Sequence, residues 1–387
     1  IKNADTLIAF PKIDSKYELF HITNPPYLYL GYISKHPETQ KHLKYFHGKR
    51  EGLQDLYQIA LANDANAGIK NMIYIIPSNL LFGDSISNRI RSIIFPRYSL
   101  KSAIVFEKKI FSETGVNVLI GFFSKKPAIS TVPQDIEITK INSRIIRKTM
   151  TISEKNNWRA GGLFDLYLEK FKANGHETSF YLLMKEIKKH PGNTQISLID
   201  SSDYSGSGYR RLTIHASNGF ANKVKNNLLW IRTVDTGSEN GKAGVYNIGK
   251  EFSADGIVVG NDFTYRTSPI QVFFEPRLPG DRQCFVQIWV NSLLAYLREI
   301  TDSEFMTTYK YSESSYTRKY LGLKQAKALI QSCPLFLGNE QINKIRALLE
   351  EGKYYEVFDN PAFISGDEDK ETAKQGVSAE QTVLSLF

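Results

Sequence analysis

Four consecutive residues, Asn24-Pro25-Pro26-Tyr27, combine the groups needed to handle an amino nitrogen. An amine conjugated to an aromatic ring is a poor nucleophile, because its lone pair is delocalised. If the Asn24 side-chain oxygen and the Pro25 backbone carbonyl each accept one N–H, the nitrogen is drawn towards tetrahedral geometry and its lone pair turns outwards. No strong base is then required. The two prolines stiffen the backbone, and neither offers an N–H to compete for the carbonyl. Tyr27 adds a flat face on which a base turned out of a duplex could stack, offsetting part of an unstacking cost on the order of a few kcal/mol. The same tetrapeptide could equally make an ordinary turn after a strand.

Such a group needs a rigid scaffold, and residues 1–130 carry the alternation of apolar strands and helical stretches that builds an α/β sheet. Tyr17 to Ile22 reads as a short strand running into Asn24, and the prolines end it. Open α/β sheets bind ligands at the carboxyl ends of their strands, so the placement suits a reaction centre. Leu53, Leu56, Tyr57, Ala60 and Leu61 recur at helical spacing between Gly52 and Ala65, and Asn66-Ala67-Gly68 supplies the stop. Met72 to Ile76 is a continuous apolar run closed by Pro77-Ser78-Asn79, the pattern of a buried parallel strand. A helix over 85–95, a strand over 103–106 and a last strand over 116–123 complete the unit.

Between 131 and 160 the pattern weakens and Lys140, Arg144, Arg147, Lys148, Lys155 and Arg159 gather, so this stretch reads as a connector. Residues 161–387 then read as a mixed α+β domain. Residues 161–190 look helical, 195–290 hold short strands broken by Gly, Asn and Ser, and 285–300 and 323–352 return to helical spacing. The acidic run from Ser365 to Glu371 is expected to be mobile.

A chain of 387 residues with 42% hydrophobic content can bury two cores, so two globular domains are expected. No apolar run reaches the roughly 18 residues of a membrane span, and no basic-then-apolar leader opens the chain, which points to the cytoplasm. Cys284 and Cys333 are too few for a disulfide framework and lack zinc spacing, so both are expected to fill the core, and no metal site is expected. Lys and Arg outnumber Asp and Glu by 49 to 40, a net +9 that favours polyanions through counterion release.

In order and spacing these features resemble the gamma class of adenine-N6 DNA methyltransferases, in which a cofactor region, the reaction motif and a target-recognition domain follow one another. The resemblance covers roughly residues 1–126. It implies a partial Rossmann-like methyltransferase sheet followed by a DNA-reading domain, with S-adenosylmethionine as cofactor and double-stranded DNA as partner, in the manner of a restriction-modification enzyme. Asn24, Pro25, Pro26 and Tyr27 would be the catalytic motif, with Asn24 and Pro26 also bordering the cofactor. Ala4-Asp5-Thr6-Leu7, nineteen residues ahead, is similar to the family's acidic motif. There Asp5 would accept a hydrogen bond from the cofactor's adenine amine, with Thr6 beside it; on residue type alone Asp5 could be a turn residue. Tyr57 matches the helix side chain that lines the cofactor pocket, although an aromatic at helical spacing is usually core. Phe111 to Val118 resembles the hairpin that touches the extruded base from its other face. Val116 stands where the family often places an aromatic, and Phe111, five residues earlier, is the other candidate.

One departure is large. Residues 1–23 contain no glycine, so the Gly-rich loop that cradles the methionine end of the cofactor is missing from where the family has it. The chain begins at Ile1 rather than Met, within what reads as a fold already under way, so an N-terminal piece or a partner subunit carrying that loop is expected. A permuted arrangement is the alternative, because Val383-Leu384-Ser385-Leu386-Phe387 resembles the strand that precedes such a loop.

Beyond residue 130 three basic groups could meet DNA. A mobile loop from Asp203 to Arg211 offers Tyr209, Arg210 and Arg211, and arginine suits guanine edges. Lys223 and Lys225 lie near Trp230 and Arg232, while Lys310, Arg318 and Lys319 lie among tyrosines; these groups suit phosphates. A solvated basic surface would have the same composition. Other readings remain: a protein-glutamine methyltransferase, which shares the tetrapeptide but lacks a large basic C-terminal domain; a cytosine-amine methyltransferase, disfavoured by Asn24; and a recognition subunit that needs a partner for its cofactor.

Overall fold

The computed structural model describes residues 5–8, 18–111, 115–142, 145–236, 241–261, 264, 267–301, 304–311, 317–360 and 363. The expectations placed on Ile1, Ala4, Tyr17, residues 112–114, Arg144, the acidic run from Ser365 and the closing Val383 to Phe387 lie outside these residues.

β1 (Phe20–Thr23) is short because the two prolines that follow bring no N–H to a ladder. A single helical turn, α1 (Leu30–Ile33), leads towards α2 (Leu56–Ala67). The second helix starts where the Asp55 carboxylate accepts the N–H of Tyr57 at 3.3 Å. It stops at Gly68, whose φ of 76° is left-handed and would strain any other side chain. Then come β2 (Asn71–Pro77), α3 (Asn79–Phe82), α4 (Asn88–Ile94), β3 (Tyr98–Phe106), β4 (Val118–Lys125), β5 (Gln134–Ile141) and β6 (Ile145–Ile152).

These strands make one six-stranded sheet in the order β1-β2-β4-β3-β5-β6. β1 pairs with β2 and β3 with β5 in parallel, whereas β4 and β6 run against their neighbours. β1, β2, β3 and β5 therefore all end on one edge. The α/β architecture expected of this unit is present, as a mixed sheet. Leu56, Tyr57, Ile59 and Leu61 of α2 pack with Tyr74, Ile76, Phe123 and Ile138 of the strands into one core.

Residues 131–160 are not a bare connector. They extend the sheet by β5 and β6, and Ile136, Ile138, Ile152 and Trp158 join its core. The period-two alternation of Ile136, Ile138 and Lys140 is a strand pattern, and Lys140 at one of its inward positions, with Arg147 and Lys148 in β6, obscured it.

The remainder is α+β, as expected. α5 (Leu163–Leu168), β7 (Glu177–Phe180) and α6 (Met184–Ile187) stand where one helical stretch was expected. β8 (Thr194–Ser205), β9 (Gly208–Ala216), α7 (Asn218–Asn226), β10 (Leu229–Arg232), β11 (Val234–Asp235), β12 (Gly244–Asn247), α8 (Ile248–Phe252), β13 (Gly256–Val258) and β14 (Ile270–Glu275) follow. The chain continues through α9 (Gly280–Thr301), β15 (Thr307–Tyr311), β16 (Thr317–Tyr320), α10 (Leu323–Gln331), α11 (Asn339–Glu350) and α12 (Tyr354–Phe358). Among the described residues these strands form three small sheets: β12-β10-β14-β7, β13-β8-β9 and β11-β16-β15. A second core forms around α9, where Phe285, Trp289, Leu293 and Leu297 meet Phe164, Ile345 and Phe358. Cys333 is buried in that core as expected, but Cys284 is exposed, on the outer face of α9. No helix among the described residues is long and apolar enough to cross a membrane.

Buried charge joins the two cores. The Arg159 guanidinium donates from Nε to the Phe82 carbonyl at 2.9 Å and from Nη2 to the Phe305 carbonyl. Lys140 lies 3.0 Å from Glu107 and 3.5 Å from Glu304; Lys148 also pairs with Glu304, and Lys319 lies 3.7 Å from Glu107.

Candidate functional site

β1 delivers the tetrapeptide to the edge where the parallel strands end. Asn24 and Pro26 are exposed, Pro25 is buried and Tyr27 is half-buried against the core. The Tyr27 hydroxyl lies 2.6 Å from Asn24 Oδ1 and 2.7 Å from the Ile75 carbonyl, and its single hydrogen serves one acceptor at a time. Among the described residues no donor meets the Pro25 carbonyl oxygen. The motif thus carries an exposed carboxamide oxygen and an adjacent carbonyl on a proline-stiffened turn.

The turn is held by the start of α2. The Leu28 N–H donates to Asp55 Oδ1 at 3.0 Å, the Leu30 N–H to the Gln54 carbonyl at 2.8 Å and the Leu56 N–H to the Leu28 carbonyl at 3.3 Å. One carboxylate therefore caps the helix and anchors the motif. Burial pushes the Asp55 carboxyl up to about 7 from an ordinary 3.8, against the opposing pull of the Leu28, Tyr57 and Leu56 N–H groups. Burial, with Asp55 adding to it, also raises the Tyr27 hydroxyl well above the usual phenol range.

The residues expected to hold the cofactor are spread over two environments. Asp5 is exposed; its Oδ2 accepts the Tyr45 hydroxyl at 2.7 Å and its Oδ1 the Leu7 N–H at 3.0 Å. The Thr6 carbonyl accepts Asn63 Nδ2 at 2.9 Å, so this turn sits on α2. Tyr57 lies in the core at 2% exposure, its hydroxyl 3.4 Å from Ser87 Oγ and 3.3 Å from Gln58 Nε2. Phe111 and Val116 are half-buried in the β3–β4 connection, on the same edge of the sheet as Asn24.

Sequence reasoning missed two polar clusters. Beneath the motif, His21 Nδ1 of β1 lies 2.9 Å from Asp64 Oδ2 of α2, which also accepts the Tyr74 hydroxyl of β2. A histidine in an apolar strand and an aspartate within a buried helix were the available signals. The second cluster is the Glu107-Lys140-Glu304-Lys319 group, which gathers residues far apart in sequence and left no local signal.

The basic candidates of the second half separate clearly. The stretch from Asp203 to Arg211 is not a loop but the end of the β8–β9 hairpin, with Tyr204 opposite Tyr209 and Ser205 opposite Gly208. Arg210 pairs with Asp200 and Asp203, and Arg211 donates to the Phe252 and Ser253 carbonyls. Tyr209 is half-buried, its hydroxyl 3.0 Å from the Ser268 carbonyl. Lys223 and Lys225 lie on α7, Lys310 on β15, and Arg318 is exposed on β16. Lys319 is buried and faces Glu107, so it has no surface to offer a phosphate; alternation along β16 turns it inwards as it turns Arg318 out. Trp230 is likewise buried, and the Arg232 guanidinium lies 5.4 Å from its ring and 5.7 Å from that of Tyr246.

A family model described as N-6 DNA Methylase matches residues 1–218. Among solved structures, the chain is similar to a modification subunit of a putative type I restriction enzyme from Vibrio vulnificus YJ016, at 14% identity over 58% of this chain and 36% of that one, with a TM-score of 0.22. It is similar to the type IIL restriction-modification enzyme MmeI in complex with DNA at 12% identity, covering 86% of this chain and 57% of that one, with a TM-score of 0.36. The type IIG restriction endonuclease BpuSI matches at 10% identity over 90% of this chain and 50% of that one, with a TM-score of 0.33. The chain thus spans between about a third and three-fifths of the length of these proteins. No curated protein matches it.

Proposed function

Because the chain belongs to the N-6 DNA methylase family, we propose that it carries the site-specific modification activity of a restriction-modification system. The reaction is transfer of a methyl group from S-adenosylmethionine to the N6 amine of an adenine turned out of double-stranded DNA. The observation that carries this reading is the exposed Asn24 carboxamide at the carboxyl end of β1, on a turn anchored by Asp55.

Asn24 Oδ1 and the Pro25 carbonyl each accept one hydrogen of the amine, so its lone pair projects out of the ring plane. The excess proton leaves to water once the new bond has formed, and no protein base is needed. Tyr27 stacks on the extruded base, while Phe111 and Val116 approach it from the β3–β4 connection. Bound S-adenosylmethionine supplies an electrophilic methyl group on a sulfonium. This chain's residues fit one end of that cofactor. Asp5 is an exposed carboxylate able to take the adenine amine and Thr6 adjoins it, while Tyr57 packs α2 into the core behind them.

The methionine end requires a Gly-rich loop that residues 1–23 do not contain. The reading therefore includes a further polypeptide, upstream or on a partner chain, that completes the site. Among the described residues β1 is an end strand of the sheet, and Phe20 and Ile22, on one face of it, are 66% and 67% exposed, which supports further chain covering that face. In the second half, Lys223, Lys225, Lys310 and Arg318 hold phosphates, and the β8–β9 hairpin approaches the bases.

Sequencing of modified bases in DNA from cells expressing the intact gene tests the reading. We expect N6-methyladenine at a defined sequence, with Asn24→Ala abolishing the mark while DNA affinity is retained. A mark that survives Asn24→Ala, or its absence from wild-type cells, would end the proposal.

A further inference from the structure

The β8–β9 hairpin contains an irregularity with a specific consequence for one arginine. Pairing runs evenly up to Asp200 opposite Arg210 and then jumps to Tyr204 opposite Tyr209, so residues 201–203 are extra on one strand. Asp200 organises this bulge. Only 1% exposed, it accepts the Ser202 N–H at 3.0 Å, the Ser202 hydroxyl at 2.6 Å and the Gly260 N–H at 2.9 Å on Oδ1, and Arg210 Nη2 at 2.9 Å on Oδ2. Glycine is required at 260, because a Cβ there would lie 2.1 Å from Asp200 Oδ2. Burial alone would raise this carboxyl, but the bonds from Ser202, Arg210 and Gly260 outweigh it and hold it below its usual range.

Arg210 and Arg211 are adjacent on a strand and so face opposite ways. Arg211 is committed to the end of α8, where it donates to the Phe252 and Ser253 carbonyls at 2.8 and 3.3 Å. Arg210 is 56% exposed, with Nη2 on Asp200 and Nε 3.1 Å from Asp203. Nε and Nη2 form the side edge of a guanidinium. With that edge turned to two carboxylates, Nη1 and the second hydrogen of Nη2 remain as a parallel pair of donors pointing outwards. The fork is pre-oriented.

The same carboxylates decide what the fork can meet. Two acids beside one guanidinium leave the spot net negative, which repels a phosphate but tolerates a neutral pair of acceptors. The O6 and N7 atoms of guanine are such a pair in the major groove. Resting on the reading of the chain as a DNA methylase, we propose that Arg210, buttressed by Asp200 and Asp203, is a specificity-determining residue that reads a guanine edge, whereas Arg211 is structural.

Selection of bound duplexes from a randomised library, using the intact protein, tests this without relying on catalysis. Wild type should enrich a sequence containing a guanine that both Arg210→Lys and Arg210→Ala lose, with preference at that position falling roughly ten- to hundredfold. Lysine keeps the charge but not the fork, so a phosphate contact would survive Arg210→Lys while a base contact would not. The dependence of affinity on salt should be unchanged in both variants, whereas losing a phosphate contact would lower the logarithmic slope by about 0.9. Asp203→Asn should keep the enriched sequence and raise non-specific binding. An unchanged sequence in Arg210→Lys, a lowered salt slope, or no enrichment by wild type would overturn the inference. Methylation of the selected duplex is measured separately: wild type that selects a sequence yet methylates nothing sinks the methylase reading alone.

Discussion

The hydroxyl of Tyr27 reaches the oxygen that a target amine would need. If it donates to Asn24 Oδ1, one lone pair remains for an incoming N–H, and the carboxamide is held in one orientation. If it donates to the Ile75 carbonyl instead, the ring stays anchored to β2 and both lone pairs are open. Either way the ring and the hydroxyl have separable tasks. In single-turnover methylation, Tyr27→Phe should stay within about tenfold of wild type. Tyr27→Ala should lose roughly a further ten- to hundredfold, the equivalent of one base-stacking contribution of about 1–3 kcal/mol. Equal losses in the two variants would assign the effect to the hydroxyl and remove the ring from the base-holding site.

At the scale of elements, α2 and the motif turn share the Asp55 carboxyl, which makes the turn sensitive to pH. In the folded protein this group keeps its proton up to about pH 7, while in the unfolded chain it ionises near its ordinary 3.8. Between those values the unfolded chain binds fewer protons, so this group's contribution to stability falls as pH rises through the window and is flat above it. Asn at 55 keeps an acceptor for Leu28 and Tyr57 without ionising. Denaturation midpoints should therefore favour Asp55→Asn over wild type more at pH 8 than at pH 5, and an equal difference at both would refute the shared-carboxyl account. The same elements show what a sequence discloses. β1, α2 and β2 were legible because prolines, a terminal glycine and apolar spacing act over a few residues, whereas the Asp55 cap that starts α2 at Leu56 went unread. The pairing of β5 with β3 was hidden, because a strand's partner is chosen by distant contacts that no local pattern records. Of the candidate site, the run Asn24-Pro25-Pro26-Tyr27 and its place after a strand could be read directly. The different positions of Arg210 and Arg211 could not, since they depend on a bulge and on α8, some forty residues away.

Across the whole molecule the two cores meet through charges withdrawn from water. Lys140 and Glu304 are each about as buried as a core leucine, and buried pairs tolerate joint replacement far better than loss of one partner. Glu304→Gln should destabilise the protein by about 3–5 kcal/mol, because Lys140 and Lys148 lose their shared acid. Combined with Lys140→Met it should cost less than the sum of the two single changes, as a double-mutant cycle in denaturant would measure. Strict additivity would show that the pair is not coupled.

Arg159 reaches across that junction to the main-chain carbonyl of Phe305, a request any residue at 305 can answer, whereas Lys140 asks for an acid at 304. A graft that exchanged the second half for another domain would be accepted or refused on that side chain. Transplants cut after residue 320 keep the acid and leave the seam intact, while cuts at 161 succeed only with donors that bring a carboxylate to the same place.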